Sequence, residues 1–311
     1  MSGYILRRLL YLIPIVFGVS LIVFLIFNMD LFGDPVRAKL GKYATPEALA
    51  QLRHDLGYDR PWLVRFGEYL RQIATFEFGR SSQYKVQISE MILRGAGPSL
   101  SITLPGFAIA TVIAVSMSVL CAAFRGKVLD KAMLIAAVAL MSVSSLVYII
   151  FGQYVLAHHA GLFPMHGYER GWGAWRYVQL PVLIFVFLSI GPDLRFYRAA
   201  MLEEVKQDYV RTARAKGLGE RTVLFHHVLR NGMIPILTRV VVELPFLIVG
   251  SLLLEKYFSI PGLGGMVVTG VLTNDLPVIR AMTFIFAVFL IVGSLLTDIA
   301  YSFADPRVRL R

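Results

Sequence analysis

The chain has 311 residues, 57% of them hydrophobic and 16% charged, with a net charge of +11 and a mean hydropathy of +0.66. A soluble domain carries about 25% charged and about 45–50% apolar residues, without runs long enough to cross a bilayer. These features exclude a soluble enzyme or binding module, and they assign the excess of basic residues to the faces of a membrane rather than to nucleic acid.

In chain order, the first apolar run covers residues 9–27, directly after Arg7 and Arg8. A signal peptide would have a shorter apolar region of about 7–15 residues and a small-residue cleavage site. This run instead leads into Asn28-Met29-Asp30, so it is read as an uncleaved first span, residues 1–29. Residues 30–98 form an extracytoplasmic segment, too small for an enzyme domain. Within it, Thr45 is a good N-cap with Pro46 at the first helical position, and a second amphipathic stretch, 62–73, follows Pro61. The remainder, 99–311, is predicted to hold five more spans near 100–124, 132–157, 178–190, 233–254 and 281–303. Each is near the ~20 residues needed to cross ~30 Å of hydrocarbon except the fourth, which reaches that length only by continuing through Arg195. The single cysteine, Cys121, lies in an apolar run, so no intrachain disulfide is possible and an inert buried thiol is expected.

Orientation follows from Lys and Arg in the short connections. With the N-terminus inside, the Arg7-Arg8 tail, the turn 125–131, the loop 195–230 and the tail with Arg307, Arg309 and Arg311 are cytoplasmic and basic. The opposite connections, 158–177 and 255–279, carry only Arg170, Arg176 and Lys256. The expectation is about six spans with both termini in the cytoplasm.

The cytoplasmic loop, about 199–232, is the most informative stretch. From Met201 to Lys216 it contains neither proline nor glycine, and Gly217 and Gly219 then break it. Tyr209, Val210, Ala213 and Gly217 can share one helical face, with Arg211, Arg214 and Lys216 around it. Such a helix, held off the membrane between two spans, fits a groove on a cytoplasmic partner; it serves equally well as a basic anchor with no partner.

The stretch Asp208-Tyr209-Val210-Arg211-Thr212-Ala213-Arg214-Ala215-Lys216-Gly217-Leu218, followed by Leu229-Arg230-Asn231 and Ile234-Pro235, resembles the coupling (EAA-type) loop of dipeptide/oligopeptide ABC-importer permeases of the "B" type. The resemblance runs nearly end to end. It includes Ile5-Leu6-Arg7-Arg8-Leu9-Leu10, Gly33-Asp34-Pro35, Leu56-Gly57-Tyr58-Asp59-Arg60-Pro61, Leu180-Pro181, Arg195, Arg198 with Ala199-Ala200-Met201-Leu202-Glu203, the segment Phe258-Ser259-Ile260-Pro261-Gly262-Leu263-Gly264, and Asp305-Pro306-Arg307 with Arg309. It implies an all-α polytopic fold of the type I (MetI-like) permease class in the inner membrane. It also implies that Tyr209 to Leu218 dock on a cytoplasmic ATPase, present as two subunits or one two-domain form. A homologous second permease would complete the pore, and an extracytoplasmic solute-binding protein would deliver cargo. The chain has no G-x-x-x-x-G-K-[ST] phosphate loop, since Gly41-Lys42 and Gly126-Lys127 lack both spacing and hydroxyl. It is therefore expected to be no enzyme and to bind no cofactor, with ATP and Mg at the partner subunits. Two departures stand out: Phe76-Glu77-Phe78-Gly79-Arg80-Ser81 replaces a Gly-Asp-Leu-Gly-like turn, and Ser142-Val143-Ser144-Ser145 lacks a proline common in the third span.

Inside the spans, Glu243 follows Arg239 by one helical turn. An ionisable group at membrane depth faces a wet cavity or a partner charge, so Glu243 is either a pore-lining carboxylate that meets a peptide amine or cation, or a structural pair with Arg239. Asp298 reads as a structural hydrogen-bonding group. Ser142, Ser145 and Gln153, with Ser144 and Tyr148, are pore-lining candidates or interhelical glue. His158-His159 and His226-His227 lack a carboxylate or cysteine at ligand spacing, so no metal is expected. Trp172, Trp175 and Tyr177 suit an aromatic belt. A stand-alone secondary transporter would need inverted repeats and discontinuous helices, and neither is legible; an intramembrane hydrolase would need a nucleophile with a base. Nickel or another chelated metal is the alternative cargo to peptides.

Overall fold

Helix is the regular structure of this chain: among the described residues the one departure is an isolated antiparallel bridge between Arg80 and Gln87. The computed structural model describes residues 2–28, 45–55, 57 and 59–304. Gly33-Asp34-Pro35, Leu56, Tyr58, the side chain of Asp298 and the tail from Asp305 onward lie outside the described residues. In order, the helices are α1 (Ser2–Asn28), α2 (Pro46–Asp55), α3 (Trp62–Ala74), α4 (Ile88–Ala123), α5 (Val128–Ser142), α6 (Ser145–Gly152), α7 (Ala174–Glu204), α8 (Asp208–Ala215), α9 (Arg230–Val249), α10 (Leu252–Tyr257), α11 (Leu263–Leu272) and α12 (Leu276–Ala304).

Among the described residues, five helical stretches are long and apolar enough to cross a membrane, and α5 with α6 completes a sixth span if the pair is counted as one. The predicted spans therefore all have counterparts, with two corrections. The third is not a continuous helix: α5 and α6 meet at an 88° bend at Val143-Ser144. A discontinuous helix is thus present although neither proline nor glycine lies at the bend to announce it. The second span begins at Ile88, eleven residues inside the stretch assigned to the outer segment, and runs 36 residues through Pro98 and Pro105. The fourth does continue through Arg195, as its length required, and is 31 residues long.

The outer segment is partly legible. Thr45 does cap α2, its hydroxyl accepting from the Ala48 N–H at 3.3 Å. Helix α3 is strongly amphipathic, and its buried face carries Phe66 and Tyr69. Phe66 meets Phe24 of α1 edge-on at 5.2 Å, and Tyr69 meets Phe284 of α12 at 6.5 Å, so α3 clamps the first and last spans together.

The centre of the bundle is the α4–α7 pair, which pack along one another more extensively than any other two helices described. Helix α5 lies against α7 at Gly191, where a Cβ would sit 2.9 Å from the Ala137 carbonyl oxygen; only glycine permits that approach. Around this pair one apolar cluster joins Ala114, Val119 and Cys121 of α4, Leu194, Tyr197 and Met201 of α7, and Ile236 of α9. Cys121 is fully buried, in the setting expected of an unreactive thiol.

Candidate coupling and translocation site

The loop between α7 and α9 is a short helix flanked by breaks. The uninterrupted propensity from Met201 to Lys216 predicts one helix, but the chain stops at Glu204, turns through Val205-Lys206-Gln207, and restarts as α8. Burial explains the turn: Val205, Val210 and Ala213 all enter the same apolar cluster as the α4–α7 core, which a straight continuation of α7 could not achieve. Gly217, at φ +78°, ends the helix in the left-handed conformation that favours glycine.

This packing divides the ten predicted coupling residues into two sets. Val210 and Ala213 are 0% and 4% exposed and are buried in this chain's own apolar cluster. The shared face that was expected to enter a partner's groove is therefore, at those two positions, the face that grips the chain's own spans. Tyr209, Arg211, Thr212, Arg214, Ala215, Lys216, Gly217 and Leu218 are exposed. Arg214 is held by Glu220 through two hydrogen bonds, 2.8 and 3.2 Å, and Arg211 pairs with Asp208 at 3.3 Å. The Tyr209 hydroxyl donates to the Glu204 carboxylate. Partial burial, followed by that carboxylate, pushes the phenol up to about 12.

Beneath α8, a salt bridge that the sequence did not announce anchors α5 to α7. Arg198 Nε and an Arg198 terminal nitrogen meet the two oxygens of Asp130 at 2.6 and 2.9 Å, and the Gly126 N–H donates to Asp130 at 3.0 Å. The Asp130 side chain is 3% exposed. Arg198 was legible only through the family resemblance, and Asp130, in the first turn of α5, has no sequence spacing that links it to Arg198.

At membrane depth, Arg239 and Glu243 do form the one-turn pair that their spacing suggests. The structure adds a third member: Asp193 of α7, whose Oδ1 lies 4.0 Å from Arg239 Nε. Sequence reading missed Asp193 because a lone acid beside Pro192 carries no spacing signal. The other pore candidates scatter. Ser142 and Ser145 flank the bend between α5 and α6, with the Ser142 hydroxyl donating back to the Val138 carbonyl at 2.8 Å. Gln153 donates to the carbonyls of Tyr257 and Met165 at 3.0 and 3.2 Å, tying the third span to the α10 end. His158-His159 and His226-His227 each end up in a seven-residue π-helical turn, 153–159 and 223–229.

At the α3 end, two further buried carboxylates hold loops. Glu255 is 0% exposed and accepts from the backbone N–H groups of Ser251 at 3.1 Å and Gly265 at 2.8 Å. It thereby closes the Phe258–Gly264 segment back on α10. Asp275 accepts from the Ser81 hydroxyl at 2.5 Å and from the Ser82 and Gln83 N–H groups at 3.1 and 3.2 Å, fixing the outer segment's last turn to the start of α12. A cavity of about 510 Å³ lies beside them, lined by Tyr84, Arg94, Arg170, Lys256 and Met266 among others. The detectable signal for Glu255 was an acid in an apolar run followed within ten residues by glycine-rich backbone donors.

The geometry is that of a bundle of membrane-length helices with a short loop helix built into its core, and comparison with known proteins identifies its family. Residues 1–87 match the N-terminal part of the binding-protein-dependent transport system membrane component. A Brucella abortus (strain 2308) protein whose name assigns it provisionally to a peptide transport system as a permease is 35% identical over 314 residues, covering 99% of each chain. The glutathione transport system permease protein GsiC of Shigella flexneri serotype 5b (strain 8401) is 32% identical over 311 residues, covering 100% of each. GsiC of Escherichia coli O1:K1 / APEC is likewise 32% identical over the full length. With residues 114–310 matching the binding-protein-dependent transport system inner membrane component, the chain belongs to that family, the membrane permease subunits of ABC importers.

Proposed function

We propose that this chain is one half of a heterodimeric permease that imports peptides or similar small solutes by alternating access, driven by ATPases bound at α8. The observation that carries the coupling part is the two-sidedness of α8. Its exposed face is free for a partner, while Val210 and Ala213 lock its other face to α4, α7 and α9. A push on the exposed face therefore moves the spans directly, because a close-packed core transmits displacement instead of absorbing it. Peptide cargo is supported by the names of the relatives at 35% and 32% identity. Glu243, with Ser142 and Ser145 at the bend, is the part of the translocation route this chain supplies. Both termini lie in the cytoplasm, on the argument of basic connections. ATP and Mg belong to the ATPases, and a binding protein delivers cargo from the opposite side.

The test is co-purification of the tagged chain from native membranes, comparing wild type with Thr212→Glu/Ala215→Glu on the exposed face of α8. Recovery of a second permease and ATPase subunits with wild type, and loss of the ATPase alone with the double variant, is the expected result. Unchanged ATPase recovery with the variant, or isolation of wild type as a lone homo-oligomer, overturns it. Ala213 is unsuitable for this purpose, since a charge there would attack packing first.

A further inference from the structure

Charged groups within spans are costly unless they are paired or wet. Arg239 and Glu243 lie on α9, whose span is only 17% buried against 56% for that of α7. Their side chains are 39% and 24% exposed, a degree of exposure that lipid would not tolerate for ions. This face of α9 therefore borders water or another polar surface.

Behind it the polar groups are incompletely bonded. Asp193 is 2% exposed, yet its Oδ2 has no hydrogen-bond partner. Arg239 Nε is buried and likewise unbonded, although it faces Asp193 Oδ1 at 4.0 Å. The hydroxyls of Tyr197 on α7 and Thr111 on α4 approach one another without completing ordinary hydrogen-bond geometry. A hydrogen bond needs about 2.7–3.2 Å, so Arg239 and Asp193 stand roughly 1 Å short of one. Arg239 spends its strong contact on Glu243 of its own helix and rests over the Phe196 ring at 5.9 Å. Two carboxylates face a single guanidinium, so the cluster is one cation short whenever both carboxyls are ionised.

We propose that Glu243 receives the amino-terminal ammonium group of the cargo, and that this displaces Arg239 onto Asp193. The cluster has a partly exposed carboxylate to meet a cation and an unbonded buried oxygen for the group it evicts. The exchange turns a pair internal to α9 into a bond between α9 and α7. Helix α7 connects to α8 through the three-residue turn 205–207, so cargo arrival is registered on the span that carries the coupling helix. The inference rests on the peptide reading and specifies which end of the peptide this subunit recognises.

The experiment uses the purified full transporter in lipid nanodiscs without its binding protein, and measures equilibrium binding of radiolabelled trialanine and N-acetyl-trialanine. Trialanine is expected to bind about tenfold tighter, the size of one charge-assisted hydrogen bond. Glu243→Gln should erase the difference between the two peptides, and Glu243→Asp should restore part of it. Asp193→Asn should weaken trialanine binding by a similar factor without contacting it, because Arg239 then has no destination. Equal binding of the two peptides by wild type overturns the ammonium site, and an unaffected Asp193→Asn overturns the exchange. Parallel uptake by proteoliposomes with the binding protein separates the two readings. Peptide uptake without amine-dependent binding overturns this inference alone, whereas absence of any peptide uptake overturns the peptide reading and this inference with it.

Discussion

Asp193 and Arg198 stand little more than one turn apart on α7, and their ion pairs differ in completeness. Arg198 meets both oxygens of Asp130 at bonding distance, and a backbone N–H supplies a further donor. Asp193 has one oxygen unbonded and the other 4.0 Å from its guanidinium. The same chemistry thus serves two purposes on one helix. A saturated pair fixes α5 to α7, since any sliding would strip a buried charge of its partner. An unsaturated cluster leaves α7 and α9 able to exchange partners, and both helices lie in the region matched to the family.

The comparison breaks most visibly if the complete pair is halved. Arg198→Ala leaves Asp130 buried and uncompensated, and should cost about 3–5 kcal/mol. Thermal unfolding in detergent should show a large loss, which the apolar pair Asp130→Leu/Arg198→Met largely recovers. Equal losses for the single and double variants would mean that the carboxylate and guanidinium hold something other than each other. Next in size is the inner face of α8. Val210→Ala empties space in a fully buried site and should cost about 1.5–2 kcal/mol. It should also slacken the link between ATPase activity and uptake, measured together in proteoliposomes, whereas Thr212→Ala on the exposed face should leave thermal stability unchanged.

At the incomplete cluster the expected stability effect is smaller. Glu243→Gln should change stability by no more than about 1 kcal/mol, because its partner is half-exposed and Asp193 can take over the guanidinium. A loss as large as that of Arg198→Ala would show that the cluster is structural. The smallest effect concerns Tyr209. Its phenol is held protonated up to about pH 12, above the ordinary value near 10, first by burial and then by Glu204. A raised value means that the folded state binds this proton more tightly. The contribution is therefore complete below pH 10 and lost as pH rises through about 12. Difference absorbance between wild type and Tyr209→Phe should place the midpoint there, and Glu204→Gln should lower it only partway.

Legibility in the sequence followed the range of the interaction. The hydrogen bonds of Asp275 join residues far apart in the chain, such as Asp275 with Ser81, and no local spacing encodes them, whereas Glu255 accepts from Ser251 and Gly265 within its own neighbourhood. The pair Arg239–Glu243 was legible because one helical turn separates its members; Asp193 was not, because it comes from another span.

By itself the sequence determined the membrane environment, the number and order of the spans, the Thr45 cap, and the loop that marks the family. These depend on hydropathy and on local backbone chemistry, which a single segment carries alone. Only the tertiary structure decided that the third span bends by 88°, that α7 stops at Glu204 so that α8 can fold back, and that Val210 and Ala213 face inward. It also decided which buried acid found a complete partner and which did not. Those outcomes depend on which apolar face fits which neighbour, and that fit exists only when the helices are packed together.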